Sequence, residues 1–184
     1  MEKADHDAMV DGLSSFFAGD TEGIVADLEG QMLEASESLE YEKAARFRDR
    51  LTDLRKAMER QEVVTEKPEN FDLIAVHDSE FEAAIQVMFV RRGRMVGRLG
   101  TIMDKSEEMD AAGAVGGMLH ELYGNDEPPA LVLVEVEPPH VEIWEQLLTE
   151  NRGSRVTQKV PQRGAKSRLM ETDVINAAQH YERH

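Results

Sequence analysis

The sequence contains no cysteine. A disulfide framework, a thiolate metal site and a cysteine nucleophile are therefore excluded, and the absence fits a reducing compartment. Aromatic residues make up only 5% of the chain, and 21 basic residues face 37 acidic ones. The resulting net charge of −16 argues against bulk electrostatic attraction to DNA or to an anionic membrane. Any contact with nucleic acid therefore needs a local basic patch.

Long apolar runs are also missing. No run approaches the length of a membrane span, and residues 1–5 carry no signal-peptide core. The 184 residues, with a hydrophobic fraction of 41% and a charged fraction of 32%, fit one ordinary soluble domain plus a small module. We therefore expect a cytoplasmic protein with no membrane partner.

The first 64 residues have helical periodicity. Apolar residues recur at helical spacing between residues 6 and 17, which predicts an N-terminal helix within 1–19. A helical hairpin is predicted over 20–64, with its first helix ending at about 36–38 and its second running from Tyr41 to about Glu62. The apolar stripe of the first helix consists of Ile24, Leu28, Met32 and Ala35. In the second helix Ala44, Phe47, Leu51, Leu54 and Met58 are spaced by 3, 4, 3 and 4 residues, which is a heptad seam.

This stripe predicts a partner. About 40 residues with a single apolar stripe are too few to be stable alone, whereas a second hairpin on another chain would complete a four-helix arrangement. The polar segment 65–70, which contains Pro68, predicts a linker and a domain boundary. The alternative is a helical connector packed on its own chain.

Strand periodicity begins after the linker. The pattern predicts five strands and three helices in the order βββαβαβα, which is an α/β layer with ribonuclease H-like topology. The chain as a whole is therefore predicted to be α+β or α/β, with a helical hairpin before a domain over 71–184. The predicted strands are 71–76, 81–90, 95–102, 130–136 and 155–161, and the predicted helices begin at Glu107, Val141 and Ala165 and end near Tyr123, Leu148 and Arg183.

Catalytic chemistry has little support in this pattern. A ribonuclease H-type nuclease needs several carboxylates on neighbouring strands to hold two divalent ions, but the strand centres offer no acidic cluster. Asp78 with Glu135 remains open as a metal pair, beside the interpretation that both are solvated residues at strand ends. No histidine has metal-ligand spacing; His77 beside Asp78 could transfer protons or be an exposed loop pair. We expect no catalytic residue, metal or cofactor in this chain.

The distribution of basic residues is more informative. Residues 151–170 contain six basic residues and no acidic one. The segment 162–166 could hold a phosphate at the N-terminus of the last helix. We hypothesise that this segment, together with a second basic spot at the β-hairpin, faces a nucleic-acid backbone; the alternative is that both neutralise the protein's own acidic surface. The candidate residues are Arg91, Arg92, Arg94, Arg155, Lys159, Arg163, Lys166 and Arg168, with Arg98 and Arg152 nearby.

Several stretches resemble a known family. Residues 39–49, Leu-Glu-Tyr-Glu-Lys-Ala-Ala-Arg-Phe-Arg-Asp, are similar to the UVR motif, which UvrB and UvrC excision-repair proteins share with some Clp-protease adaptors and ATPases. Residues 84–97, and residues 152–156 together with 160–169, resemble the stretch that follows this motif in UvrC. The resemblance extends from about His6 to the end of the chain, and the combination is specific to the UvrC family.

The resemblance implies a role in a longer protein. The parent would cut DNA on both sides of a lesion, using Mg²⁺ or Mn²⁺ in nuclease domains that this chain lacks. This central piece would bind the C-terminal hairpin of UvrB, and damaged DNA would be bound in the parent complex; self-association through the hairpin stays open. The implied UvrB contact consists of Tyr41, Ala44, Ala45, Phe47, Arg48, Leu51 and Leu54.

Two other function classes are alternatives. A UVR-containing adaptor of a Clp-type protease would share the motif, but such adaptors usually carry zinc-binding cysteine motifs. A stand-alone metal-dependent nuclease would need the carboxylate cluster that the sequence does not supply.

Overall fold

The computed structural model describes residues 21–106 and 108–184, so the predicted helix within 1–19 lies outside the described residues. The described chain divides into two units, with the boundary between Glu62 and Val63. This boundary precedes the predicted linker 65–70, because the backbone after Val63 is hydrogen-bonded into the second unit. The N–H of Val64 donates to the carbonyl of Gly93 at 2.8 Å, and Val63 forms a bridge with Arg94.

The first unit is a helical hairpin of two α-helices, α1 (Thr21–Glu37) and α2 (Tyr41–Glu59). Its turn places Leu39 in the left-handed region, at φ 62°. The N–H of Glu40 donates to the carbonyl of Ala35 at 2.8 Å, which satisfies a carbonyl at the end of α1. The prediction for α2 extended three residues too far, to Glu62.

The predicted heptad seam is the inner face of the hairpin. Its five residues are buried or half-buried, as is the neighbouring Ala45, and α2 packs on α1. In α1 the inner position is taken by Val25 instead of Ile24, whose side chain remains 41% exposed. Among the described hairpin residues only Ala35 and Leu51 are buried. Two helices therefore cover the stripe on one side only, as expected for a pair of this length.

The second unit has the predicted order βββαβαβα. It consists of β1 (Phe71–Asp78), β2 (Glu82–Arg91), β3 (Arg94–Asp104), α3 (Ala111–Tyr123), β4 (Leu131–Val134), α4 (Val141–Arg152), β5 (Thr157–Lys159) and α5 (Ala165–Arg183). Several boundaries differ from the prediction: β1 and β3 are longer, β4 and β5 are shorter, and α4 ends at Arg152 instead of near Leu148. The start of α3 differs because Asp110 caps this helix by accepting from the N–H of Gly113 at 2.9 Å. The helix thus begins at Ala111 and not at the predicted Glu107.

The five strands form one mixed sheet in the order β3-β2-β1-β4-β5. β2 is antiparallel to both β1 and β3, whereas β4 is parallel to β1 and to β5. An antiparallel three-strand strip followed by parallel crossover strands is the ribonuclease H-like topology, so the predicted fold class is confirmed.

Helices cover both faces of this sheet. On one face Ile74, Val76 and Val87 pack against α3 and Leu148 of α4. On the other face Phe71, Leu73 and Met88 pack with Met170 of α5. Because both faces are covered, β1 is buried from Phe71 to Val76, which explains its continuous apolar run.

Candidate functional site

The turn of the hairpin exposes large apolar side chains. Leu39 is 69% exposed and Tyr41, the first residue of α2, is 65% exposed, with Leu33 of α1 at 60%. Exposed apolar groups gathered at one end of a small module indicate a contact surface. We call Leu33, Leu39 and Tyr41 the turn patch.

The seven residues predicted to contact UvrB divide into three groups. Tyr41 and Arg48 are exposed, while Ala44, Ala45, Phe47 and Leu54 are half-buried along the seam. Leu51 is only 2% exposed. Leu51 therefore holds the two helices together and does not offer a surface of its own to a partner.

Several charged side chains of the hairpin have partners within the hairpin. Arg55 of α2 pairs with Glu29 of α1. Lys43 lies 3.7 Å from the carboxylate of Glu40, and the guanidinium of Arg50 lies 5.9 Å from the ring centroid of Phe47. Exposed pairs of this kind contribute little to stability, so they orient side chains around the seam.

A second surface is organised by the turn between β2 and β3. Arg92 and Gly93 both have positive φ, 55° and 72°, as a two-residue hairpin turn requires. The carbonyl of Gly93 accepts from the N–H groups of Val64 and Thr65, and its own N–H donates to the carbonyl of Glu69 at 2.8 Å. A Cβ at Gly93 would lie 2.6 Å from the carbonyl oxygen of Lys67. Only glycine fits, and it fixes segment 64–69 against the turn.

Segment 64–69 and the start of α5 enclose a cleft of about 580 Å³. Lys166 bridges the two sides, with its ammonium 3.0 Å from the carboxylate of Glu69 and 5.8 Å from the ring centroid of Phe71. Four basic and two acidic residues line this basic cleft: Lys67, Arg163, Lys166, Arg168, Glu66 and Glu69.

The eight predicted nucleic-acid contacts do not form one surface. Arg163, Lys166 and Arg168 line the basic cleft, whereas Arg155 and Lys159 are exposed beside β5 and do not line it. Arg92 is exposed and Arg94 half-buried at the β2–β3 turn.

Arg91 has a different place. Its side chain is 11% exposed and pairs with Asp72 at 2.7 Å, while the same nitrogen donates to the carbonyl of Val90 at 2.8 Å. Arg91 therefore belongs to the interior, and its charge is neutralised there instead of facing a phosphate.

The N-terminus of α5 lacks a side-chain cap. The N-cap position is Gly164, at φ 81°, and the first turn of the helix contains no acidic residue. Its first N–H groups have positive partial charge and point away from the helix. Together with Arg163 and Lys166, they could bind one anionic group.

Asp72 is at the centre of a buried polar network. Its carboxylate accepts from Arg91 at 2.7 Å and from the hydroxyl of Tyr123 at 2.6 Å. Burial, followed by the neighbouring Asp72 charge, raises the pKa of Tyr123 well above its ordinary value. Both oxygens of Asp72 are thus engaged in holding β1, β2 and α3 together.

The other strand-end carboxylates are also engaged. Asp78 pairs with Lys105 at 2.6 Å, and Glu135 accepts from the N–H of Val76 at 2.8 Å. His77 packs against Tyr181, with ring centroids 5.2 Å apart. Within residues 21–106 and 108–184, no group of three or more histidine or acidic side chains is arranged to hold a metal ion.

The sequence did not reveal Asp173. It lies on the inner face of α5 between Met170 and Ala177, is 0% exposed, and neither carboxylate oxygen has a hydrogen-bond partner. The pKa of Asp173 is raised from 3.8 to about 7, mainly by burial, which the charge of Arg98 opposes in part and the charge of Glu135 reinforces. In the sequence, the burial of Asp173 is indicated only by its position, because an acidic residue stands where the helical period of α5 places apolar ones.

None of the helices in the described part of the chain is long and apolar enough to cross a membrane.

Comparison with known proteins gives matches over both units. A family model described as UvrC Ribonuclease H-like domain matches residues 70–184, and one described as UvrB/uvrC motif matches residues 22–57. A protein of Streptomyces coelicolor named UvrABC system protein C is 46% identical over 178 residues, covering 95% of this chain and 24% of the relative. One of the same name from Salinispora arenicola is 43% identical over 184 residues, covering 98% and 28%. The chain thus spans about a quarter of the length of these relatives.

Proposed function

The chain belongs to the UvrC family, and from this premise we propose that it is the central part of a UvrC subunit in a UvrABC excision-repair nuclease, where it binds UvrB through its hairpin and DNA through its basic cleft. The proposed binding to UvrB rests on the turn patch. Leu39 and Tyr41 remain mostly exposed, and they lie in the part of the chain that resembles the UVR motif.

The seam supports the same conclusion. Phe47 and Leu54 are half-buried in a hairpin that buries only two of its described residues fully. A second hairpin laid against this side would cover the seam and the ring of Tyr41, giving a four-helix arrangement. The hydroxyl of Tyr41 would then point to an accepting group or to the solvent edge of the contact.

We expect Tyr41→Ala to weaken binding to the C-terminal hairpin of UvrB by about 2 kcal/mol, or roughly thirtyfold in Kd, as for an aromatic anchor at an interface. Tyr41 is chosen because its exposure leaves the hairpin fold intact, whereas Phe47 also supports the seam. Titration calorimetry with the whole chain measures the effect.

Ile24→Ala is the matched control, since Ile24 is an exposed apolar residue of α1 outside the predicted contact. It should leave the Kd within a factor of about two. Equal losses in both variants, or none with Tyr41→Ala, would contradict the proposed surface.

The basic cleft supports the second half of the proposal. In a chain with a net charge of −16, four basic residues gathered beside an uncapped helix N-terminus form the local patch that DNA binding requires. The acidic remainder of the protein repels a phosphate chain, which would direct DNA to this cleft.

We expect Arg163→Glu with Arg168→Glu to weaken binding to duplex DNA and to reduce the slope of log K against log salt by about 2, because two phosphate contacts are lost. Arg155→Glu with Lys159→Glu makes the same change of charge outside the cleft and should leave the slope nearly unchanged. Fluorescence anisotropy over a series of salt concentrations measures both. An equal decrease of the slope in both double variants would mean that the effect comes from net charge and not from contacts in the cleft.

This part of the protein is also proposed to be non-catalytic. Asp72, Asp78 and Glu135 each have partners within the fold, which leaves their oxygens poorly disposed for two divalent ions. DNA incubated with the chain and Mg²⁺ or Mn²⁺ should stay intact. Cleavage that disappears with Asp78→Asn would overturn this assignment.

A further inference from the structure

A groove of about 570 Å³ runs along the other side of α5, bordered by the segment that follows β5. Its lining is mostly apolar and includes Val160, Met170, Val174 and Ile175. Ile175 is 57% exposed. Such an open apolar surface on a small domain indicates a binding function.

The charged groups that line this groove are acidic, and Ser167 is its one neutral polar residue. Glu135 and Glu171 line it, and none of the lining residues is basic. Burial raises the pKa of the half-buried Glu135, which the hydrogen bond from Val76 and the charge of His77 lower in part. Asp173, buried on the inner face of the same helix with no hydrogen-bond partner, adds a third carboxylate, and its charge interacts with that of Glu135.

We propose that this groove is a docking surface for a protein segment that carries one arginine or lysine between apolar side chains. The apolar lining would take the flanking side chains, and the cation would pair with Glu135 and Glu171. A guanidinium or ammonium placed there relieves the unfavourable burial of negative charge, because opposite charge favours the ionised carboxylate.

The negative charge of the groove disfavours other kinds of ligand. Two carboxylates repel a phosphate chain, so the groove is unsuited to nucleic acid, in contrast to the basic cleft. A wholly apolar segment would leave Glu135 further desolvated and unpaired, at a cost in affinity. The surface is separate from the turn patch and the cleft, so its failure would leave the proposed function untouched.

The test uses the whole chain labelled with ¹³C in its methionine methyl groups. Met170 lines the groove, and Met118 lies in the core on the opposite face of the sheet. The probe is a blocked pentapeptide with arginine at its centre and two apolar residues on each side; its counterpart has neutral citrulline instead of arginine. We expect the arginine peptide to shift the Met170 signal saturably, to leave Met118 unchanged and to bind about tenfold more tightly than the citrulline peptide.

Two variants separate docking from folding. Glu135→Gln keeps the shape and an acceptor for Val76, and it should reduce the affinity of the arginine peptide to that of the citrulline peptide. Ile175→Lys places a cation at an exposed position of the groove, where it cannot disturb the core, and should weaken binding similarly.

Other results would overturn the proposal. They are equal affinity of the two peptides, and a Met170 signal that neither peptide moves. A Met170 signal that shifts with protein concentration in the absence of peptide would identify a second copy of the chain as the occupant, and would reject a separate partner segment.

Discussion

Asp72→Ala should lower the free energy of unfolding of the second unit by about 3–5 kcal/mol, the usual loss when one partner of a buried ion pair is removed. The single tryptophan, Trp144, is in this unit, so its fluorescence during denaturant unfolding reports on this unit alone. A loss of this size is a large part of the stability of an ordinary domain.

The geometry explains the magnitude. Asp72 is 1% exposed and is the acceptor for both Arg91 and Tyr123. Its removal leaves a guanidinium that is 11% exposed without its counter-charge, and a buried hydroxyl without its acceptor. Tyr123→Phe removes only the hydroxyl and should cost about 1–2 kcal/mol.

Asp78→Ala is the matched control for Asp72→Ala. It changes the same residue type at the other end of β1, where Asp78 is 39% exposed. Its partner Lys105, whose side chain is 8% exposed, keeps the carbonyl of Ser79 as an acceptor at 2.6 Å, so we expect a smaller loss of about 1–2 kcal/mol. Adding Arg91→Met to Asp72→Ala should restore part of the stability, since it removes the unpaired charge. Equal effects of Asp72→Ala and Asp78→Ala would refute the structural role of the network.

Sequence patterns predicted correctly those helices and turns whose structure depends on a few consecutive residues. The bounds of α5, Ala165 to Arg183, coincide with the structure, and the gap between the predicted strands 81–90 and 95–102 contains the turn at Arg92 and Gly93, because helical periodicity and turn chemistry are both encoded within a few residues. The heptad seam of α2 was predicted for the same reason. The short strand β5 was predicted over seven residues, 155–161, but contains three, Thr157–Lys159, since the length of its ladder depends on its neighbour β4.

Contacts between distant parts of the sequence could not be predicted. Segment 65–70 has the composition of a linker, yet Gly93 holds its backbone from 20 or more positions away. From the sequence, Arg91 was expected to be an exposed cation, yet it pairs with Asp72 on the neighbouring strand β1. The burial of Leu51 likewise depends on how α1 packs on α2, so the candidate contact could be predicted as a seam but not divided into inner and outer residues.

Asp173→Asn should stabilise the second unit at neutral and alkaline pH. The folded state raises the pKa of Asp173 from 3.8 to about 7, so between these values it holds a proton that the unfolded chain releases. The free energy of unfolding then falls as pH rises, by at most about 1.4 kcal/mol per pH unit and about 4 kcal/mol in total, and the loss is complete above the folded pKa.

The variant is informative because asparagine has the shape of the protonated acid and does not ionise. Near pH 4 the two proteins should be of similar stability, and near pH 8 the variant should be more stable by up to about 4 kcal/mol, because the buried, unpartnered charge is gone. Glu171→Gln, at an exposed position of the same helix, removes one negative charge without a buried group and should give a difference of about 0.5 kcal/mol or less at every pH. Denaturant unfolding followed by Trp144 fluorescence at several pH values measures both variants. A stability difference for Asp173→Asn that does not grow between pH 4 and pH 8 would mean that the charge of Asp173 is compensated in solution, and Arg98, whose charge lowers the pKa of Asp173, is the candidate partner.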